Sequence, residues 1–146
     1  MTVFKKLLSM LIYYKHNVHM LHWKTSGPLF QENHEFLGGL YGEMENQIDT
    51  VAELGLQAGE NPVGLDEALA VLNGDEHEYV GVNPASNYNA DDTFKAVLTM
   101  FTEIMGEIEG ICKNNTLSEA QRNDLANLSS WYSLRANYLI PRRFAS

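Results

Sequence analysis

Four of the five histidines lie early in the chain, at His16, His19, His22 and His34, and two acids, Asp49 and Glu53, follow at a four-residue step. Imidazole nitrogen with carboxylate oxygen is a ligand set suited to iron and similar divalent metals. On a helix Asp49 and Glu53 share one face. An ordinary solvated helix face also carries such pairs, so spacing alone leaves both readings in place.

Reach narrows the choice. If His34 and Asp49 lie on one continuous helix, the 15 residues between them span about 22 Å of axis. Both ligand types bind transition metals at roughly 2 Å, so the two cannot meet on one ion within a single copy. If they cooperate, they come from different chains. A two-fold axis that runs two copies of this helix antiparallel brings His34 of one copy toward Asp49 and Glu53 of the other. His22, on the preceding helix, joins His34 from its own chain. An intrachain di-iron bundle instead uses a Glu-x-x-His step, and this step occurs nowhere in the chain. Glu103 and Glu107 are four residues apart, but no histidine follows on that segment.

The elements that must position these residues are helical. Phe4, Leu7, Leu8, Leu11, Val18 and Leu21 recur at three- and four-residue steps, so the N-terminal stretch reads as a helix start rather than a signal peptide. Ser26-Gly27-Pro28 breaks it. A second helix is expected from about Leu29 to Ala58, with Leu37, Tyr41, Met44, Ile48, Val51 and Ala52 as its apolar positions, ended by Gly59 and Pro62. Residues 61–89 form a long connection with a short helix at Leu65 to Leu72, closed by Asn73-Gly74. A third helix opens at Asp91-Asp92 and stops at Asn114-Asn115. Ser118 and Gln121 make a capping-box pattern ahead of a fourth helix that runs to Pro141. Four long helices with one long crossover, between the second and third, predict an all-α, ferritin-like four-helix bundle in a single domain over residues 1–146.

The formal charge of −9 argues against strong nucleic-acid binding, which rests on Lys and Arg neutralising phosphates. No apolar run approaches the roughly 20 residues of a membrane span. The single cysteine, Cys112, suits a reducing compartment, which makes cytoplasm the default. Two glycosylation patterns, Asn114-Asn115-Thr116 and Asn127-Leu128-Ser129, are read as coincidence.

The run His22-Trp23-Lys24-Thr25-Ser26-Gly27-Pro28-Leu29-Phe30, then His34, Leu40-Tyr41 and Asp49-Thr50-Val51-Ala52-Glu53, resembles the signature of the Dps family, the mini-ferritins. The helix order is similar across nearly the whole chain, with only a loose match in the last helix around Trp131. This resemblance implies a hollow dodecamer built from dimers. It implies oxidation of ferrous iron by hydrogen peroxide or dioxygen at the two-fold interface, with ferric mineral stored inside. Carried over residue by residue, it makes His22 and His34 iron ligands from one subunit and Asp49 and Glu53 ligands from its partner.

Two departures qualify what the resemblance implies. Many members carry an acid four positions after the second histidine, where it helps hold a second metal; here the position is Gly38, one of three helical glycines with Gly39 and Gly42. Members that coat DNA often use a flexible basic tail, whereas here the first helix begins almost at once. Twelve copies would carry a total charge of about −108, a strong repulsion from DNA at moderate salt, so no DNA binding is expected. The alternative is a structural or DNA-organising shell with a vestigial metal site; zinc or manganese binding without redox turnover uses the same ligands. Trp23 reads either as packing or as an interceptor of oxidising equivalents. His19 reads as exposed or as a neighbour of the ligands, and His16 and His77 as surface residues. Asp91, Asp92, Glu119 and Asp124 read as helix-end acids, which cap helices or line a pore.

Overall fold

The computed structural model describes residues 2–114 and 116–144. Met1, and Asn115 of the expected third-helix stop, lie outside the described residues. The described residues form five α-helices: α1 (Lys5–Lys24), α2 (Phe30–Gln57), α3 (Leu65–Asn73), α4 (Ala90–Cys112) and α5 (Glu119–Leu134). The four long ones make the expected bundle and α3 is the short helix of the crossover. α1 packs on α2, α3 and α4, and α4 packs on α5. Among the described residues no helix is long and apolar enough to cross a membrane, and β pairing is limited to an isolated parallel bridge between Thr25 and Tyr88.

The core follows helical periodicity. Leu7, Leu11, Tyr14, Val18 and Leu21 of α1 meet Phe94, Val97, Phe101, Ile104 and Ile108 of α4, all essentially without exposure, in one cluster with residues of α2 and α5. On α2 the buried positions are Asn33, Leu37, Leu40, Met44, Gln47, Val51, Leu54 and Gly55. This corrects the expected face: Tyr41, Ile48 and Ala52 are half-buried at its edge. Gln47, polar in an apolar seam, is accommodated because the buried Tyr132 hydroxyl donates to its Oε1.

Helix ends are closed partly by distant residues. α1 has no side-chain cap of its own; instead the Glu60 carboxylate accepts from Val3 N at 2.5 Å and Phe4 N at 3.0 Å. Glu60 reaches them because Gly59, at φ +79°, turns the chain back after α2. Asn89 caps α4 by accepting from Asp92 N at 2.8 Å, and the Ser118–Gln121 capping box opens α5 as expected. The last helix does not run to Pro141 as a regular α-helix. Residues Arg135–Leu139 widen into a π-helical turn, with Ile140 N donating to Arg135 O. The Arg135 guanidinium lies over the Trp131 ring and donates to the Trp131 carbonyl, an acceptor of the last α turn.

The crossover is tied across α1 and α4. Tyr14 donates to Glu103, Asn17 donates to Val80 O at 2.8 Å, and His77 Nε2 lies 2.5 Å from Glu103 Oε2. Tyr79 donates to Asp75, which also pairs with Lys6 at 2.9 Å. The Tyr79 hydrogen bond, then Lys6, hold the Asp75 carboxyl well below the usual carboxylate range.

Candidate metal centre

α1 ends at Lys24, so its last carbonyls need donors from elsewhere. Leu21 O takes Thr25 N and Lys24 O takes Tyr88 N. The His22 carbonyl accepts from His34 Nδ1 at 2.7 Å. In return, His22 Nδ1 donates to the His34 carbonyl at 2.6 Å. The two imidazoles stack with centroids 3.7 Å apart and planes 17° from parallel. A carbonyl oxygen only accepts, so each Nδ1 carries a proton, and in the neutral ring the lone pair is then on Nε2. A hydrogen bond from the far nitrogen is also how proteins orient a metal-binding histidine. The pair is therefore held in the tautomer that binds a metal.

Neighbouring rings hold this pair in place. Phe30 stacks on His34 at 5.0 Å, and Tyr41 meets His22 edge-on at 5.3 Å. Gly38, one turn beyond His34 on α2, leaves the space: a Cβ there would lie 3.2 Å from His22 Cε1. The group that fills the space beside Gly38 is the ring of the chain's own His22. Gly39 and Gly42 have nothing within 4 Å of a built Cβ and lie on the exposed face of α2.

The structure brings His22 and His34 together and leaves Asp49 and Glu53 apart from them. The two acids are exposed, one turn apart further along the unbroken α2, and make no ion pair with a described residue. Among the described residues no three His, Cys, Asp or Glu side chains of one chain gather into a metal cage. The α4 acids are engaged elsewhere, Glu103 by Tyr14 and His77, and Glu107 by Lys6. One chain thus carries an imidazole pair at one end of α2 and a carboxylate pair toward the other.

Of the two readings of His19, exposure and a place beside His22, the structure gives the second, with the two ring centroids 6.1 Å apart. The His19 ring is half-buried between Tyr41 (3.9 Å, 10° from parallel) and Trp23 (4.1 Å). Burial lowers its pKa, with Lys15, His22 and His16 adding in the same direction. Trp23 is 56% exposed in the single chain. The signal for this sandwich was present in register: α1 and α2 run antiparallel, and His22 opposite Gly38 places His19 opposite Tyr41. His77, also expected at the surface, is exposed but bound to Glu103.

A family model described as a ferritin-like domain matches residues 3–133. A curated relative, a DNA protection during starvation protein of Brevibacillus brevis, is 29% identical over 92 residues, covering 63% of this chain. The chain matches only 58% of that relative's length. Among solved structures, the fold is similar to a Dps protein from Bacillus brevis, with TM-score 0.83 and 21% identity over 96% of this chain and 91% of that one. It is also similar to Dps from Staphylococcus aureus, with TM-score 0.83 and 21% identity over 99% of this chain and 93% of that one. At these identities the structures speak for the fold alone.

Proposed function

Because this chain belongs to the ferritin-like family, with Dps mini-ferritins as its relatives in sequence and fold, we propose that it oxidises ferrous iron at a site shared by two subunits and stores the ferric product. His22 and His34 of one subunit and Asp49 and Glu53 of the partner subunit are the iron ligands in this reading. The assembly is a cytoplasmic dodecamer built from such dimers, and its net negative charge keeps it off DNA. The observation that carries the proposal is the reciprocal Nδ1–carbonyl pairing, which leaves two Nε2 lone pairs free with no carboxylate of the same chain beside them.

Ferrous iron is the substrate. The imidazoles orient it, while the carboxylates neutralise its charge and favour the ferric over the ferrous state, which assists electron loss. With hydrogen peroxide as oxidant, two ferrous ions give one electron each, two protons are taken up, and two ferric ions and two waters result.

A complementation experiment tests both the ligands and their division between chains. His34→Ala and Asp49→Ala each remove rapid peroxide-dependent iron oxidation. When the two inactive variants are dissociated, mixed in equal amounts and reassembled, half of the dimers are mixed. Each mixed dimer holds one intact site of two, so roughly a quarter of the wild-type rate returns. Wild-type rates in either variant alone, or no recovery where wild-type protein recovers after the same treatment, would overturn the assignment.

A further inference from the structure

The helix that carries His34 starts without a cap. Its N-cap residue, Leu29, makes no side-chain hydrogen bond, and Leu29, Phe30, Gln31 and Glu32 are all exposed. Helix ends carry orphan backbone groups and open more readily than helix interiors. His34 lies only one turn in from Phe30, yet it meets His22 through hydrogen bonds of 2.6 and 2.7 Å. An open hollow of about 960 Å³, lined by Pro28, Leu29, Phe36, Tyr138 and Phe144, lies between the start of α2 and the C-terminal 3₁₀ turn Pro141–Arg143.

Arg143 spans that hollow. The turn that carries it is anchored by Ile140, which is buried and whose carbonyl accepts from Arg143 N at 2.8 Å. Arg143 Nη1 donates to Asn33 Oδ1 at 3.1 Å, across 110 residues of sequence, and the guanidinium carbon stands 3.8 Å from the centroid of the Phe36 ring. Asn33 is 2% exposed, so water is a poor substitute for that donor. Around the helix, Asn33 and Phe36 lie about 100° and 160° from His34, so Arg143 grips α2 on a side other than the one that meets His22. A planar guanidinium can stack on a ring and donate in its own plane at once, which an ammonium cannot. Resting on the metal-site reading above, we propose that Arg143 is a positioning residue for the ligand His34: it ties the uncapped start of α2 to the C-terminal turn and so keeps the His34 ring in register with His22.

Without Arg143, Asn33 Oδ1 is left buried and unpaired, a state relieved when the first turn of α2 moves outward to water. His34 moves with that turn and its bonds to His22 lengthen, while metal–ligand distances tolerate only about 0.2 Å. The charge of Arg143 acts in the opposite direction. A positive group near a cation site repels the cation, so its loss by Coulomb's law alone would tighten metal binding. Weaker binding on loss of this positive charge is therefore the mark of positioning.

Cobalt(II) is titrated without oxygen into the intact assembly, with affinity read by calorimetry and coordination by visible absorption. Arg143→Gln is expected to weaken binding about tenfold, as loss of a group that orients a metal ligand does, and to change the cobalt band. Arg143→Lys, which keeps the charge but not the planar fork, falls between that variant and the wild type. Arg142→Gln removes the neighbouring charge, whose guanidinium lies over Tyr138, and binds cobalt at least as tightly as the wild type. Ser118→Ala removes the α5 capping box, lowers stability at another helix end and leaves cobalt affinity unchanged. Assembly size is checked for each variant, and if Arg143→Gln does not assemble, Arg143→Lys decides alone. Wild-type or tighter binding in the deciding Arg143 variant, or an equal loss in Ser118→Ala, overturns the positioning role and leaves the metal site standing. Cobalt bound as tightly by His34→Ala as by the wild type overturns both.

Discussion

Gly38→Ala sets two opposing effects against each other at one position of α2. In a helix interior alanine is favoured over glycine by about 1 kcal/mol. The new Cβ, however, would lie 3.2 Å from His22 Cε1 and 3.4 Å from its Nδ1, inside the ~3.5–4.0 Å of a relaxed carbon contact. The ring must retreat by a few tenths of an ångström, against hydrogen bonds already at 2.6 and 2.7 Å. Gly106→Ala on α4 is the control, since its Cβ would meet nothing within 4 Å. Gly106→Ala should stabilise the protein by about 1 kcal/mol, while Gly38→Ala should leave stability near its wild-type value because the steric cost offsets the same gain. Metal–ligand distances tolerate only about 0.2 Å, so affinity for a divalent ion should fall about tenfold in Gly38→Ala, or ~1.4 kcal/mol. Parallel urea denaturation gives the first quantity, and anaerobic calorimetric titration with cobalt, a probe that peroxide-free conditions do not oxidise, gives the second. If Gly38→Ala gains as much stability as Gly106→Ala and binds cobalt as the wild type does, the gap at Gly38 does not position His22.

Two further expectations concern the frame around the site. Glu60→Ala leaves Val3 N and Phe4 N without their acceptor, and should cost about 1–2 kcal/mol, as loss of a helix N-cap does, measured by urea denaturation; an unchanged midpoint would show that α1 is closed by other means. Burial, then the hydrogen bond to Asp75, push the Tyr79 phenol up to about 12. A folded value above the unfolded one of about 10 means that its contribution is complete below pH ~10 and is lost as pH rises toward 12. Stability should therefore fall across that window, and Tyr79→Phe should flatten the slope; an equally steep fall in the variant would assign the loss to other groups.

Much of the architecture was legible because it depends on local rules. The three- and four-residue steps of α1 and α4, the Ser118–Gln121 box, the glycine stop after α2 and the short α3 all follow from period and cap chemistry. The separation of the two candidate pairs was also legible. The rise of a helix puts His34 and Asp49 about 22 Å apart whatever surrounds them, and both stand on the unbroken α2.

Packing decided the rest. The buried face of α2 runs through Leu40, Gln47 and Leu54 rather than Tyr41, Ile48 and Ala52, because large and half-polar side chains satisfy an amphipathic period from its edge as well as from its centre. The π-helical turn at Arg135–Leu139 interrupts a stretch whose period reads as plain α-helix, and α1 is closed by a carboxylate from beyond α2. The reciprocal bonds between His22 and His34 are of the same kind. A helix-end carbonyl needs a donor, but which donor reaches it is known only once α1 and α2 are laid side by side. The residue types and their spacing singled out the candidate metal-binding groups; the antiparallel register of α1 and α2 turned each Nδ1 of the histidine pair to a carbonyl, put a glycine beneath the His22 ring and packed His19 between Tyr41 and Trp23.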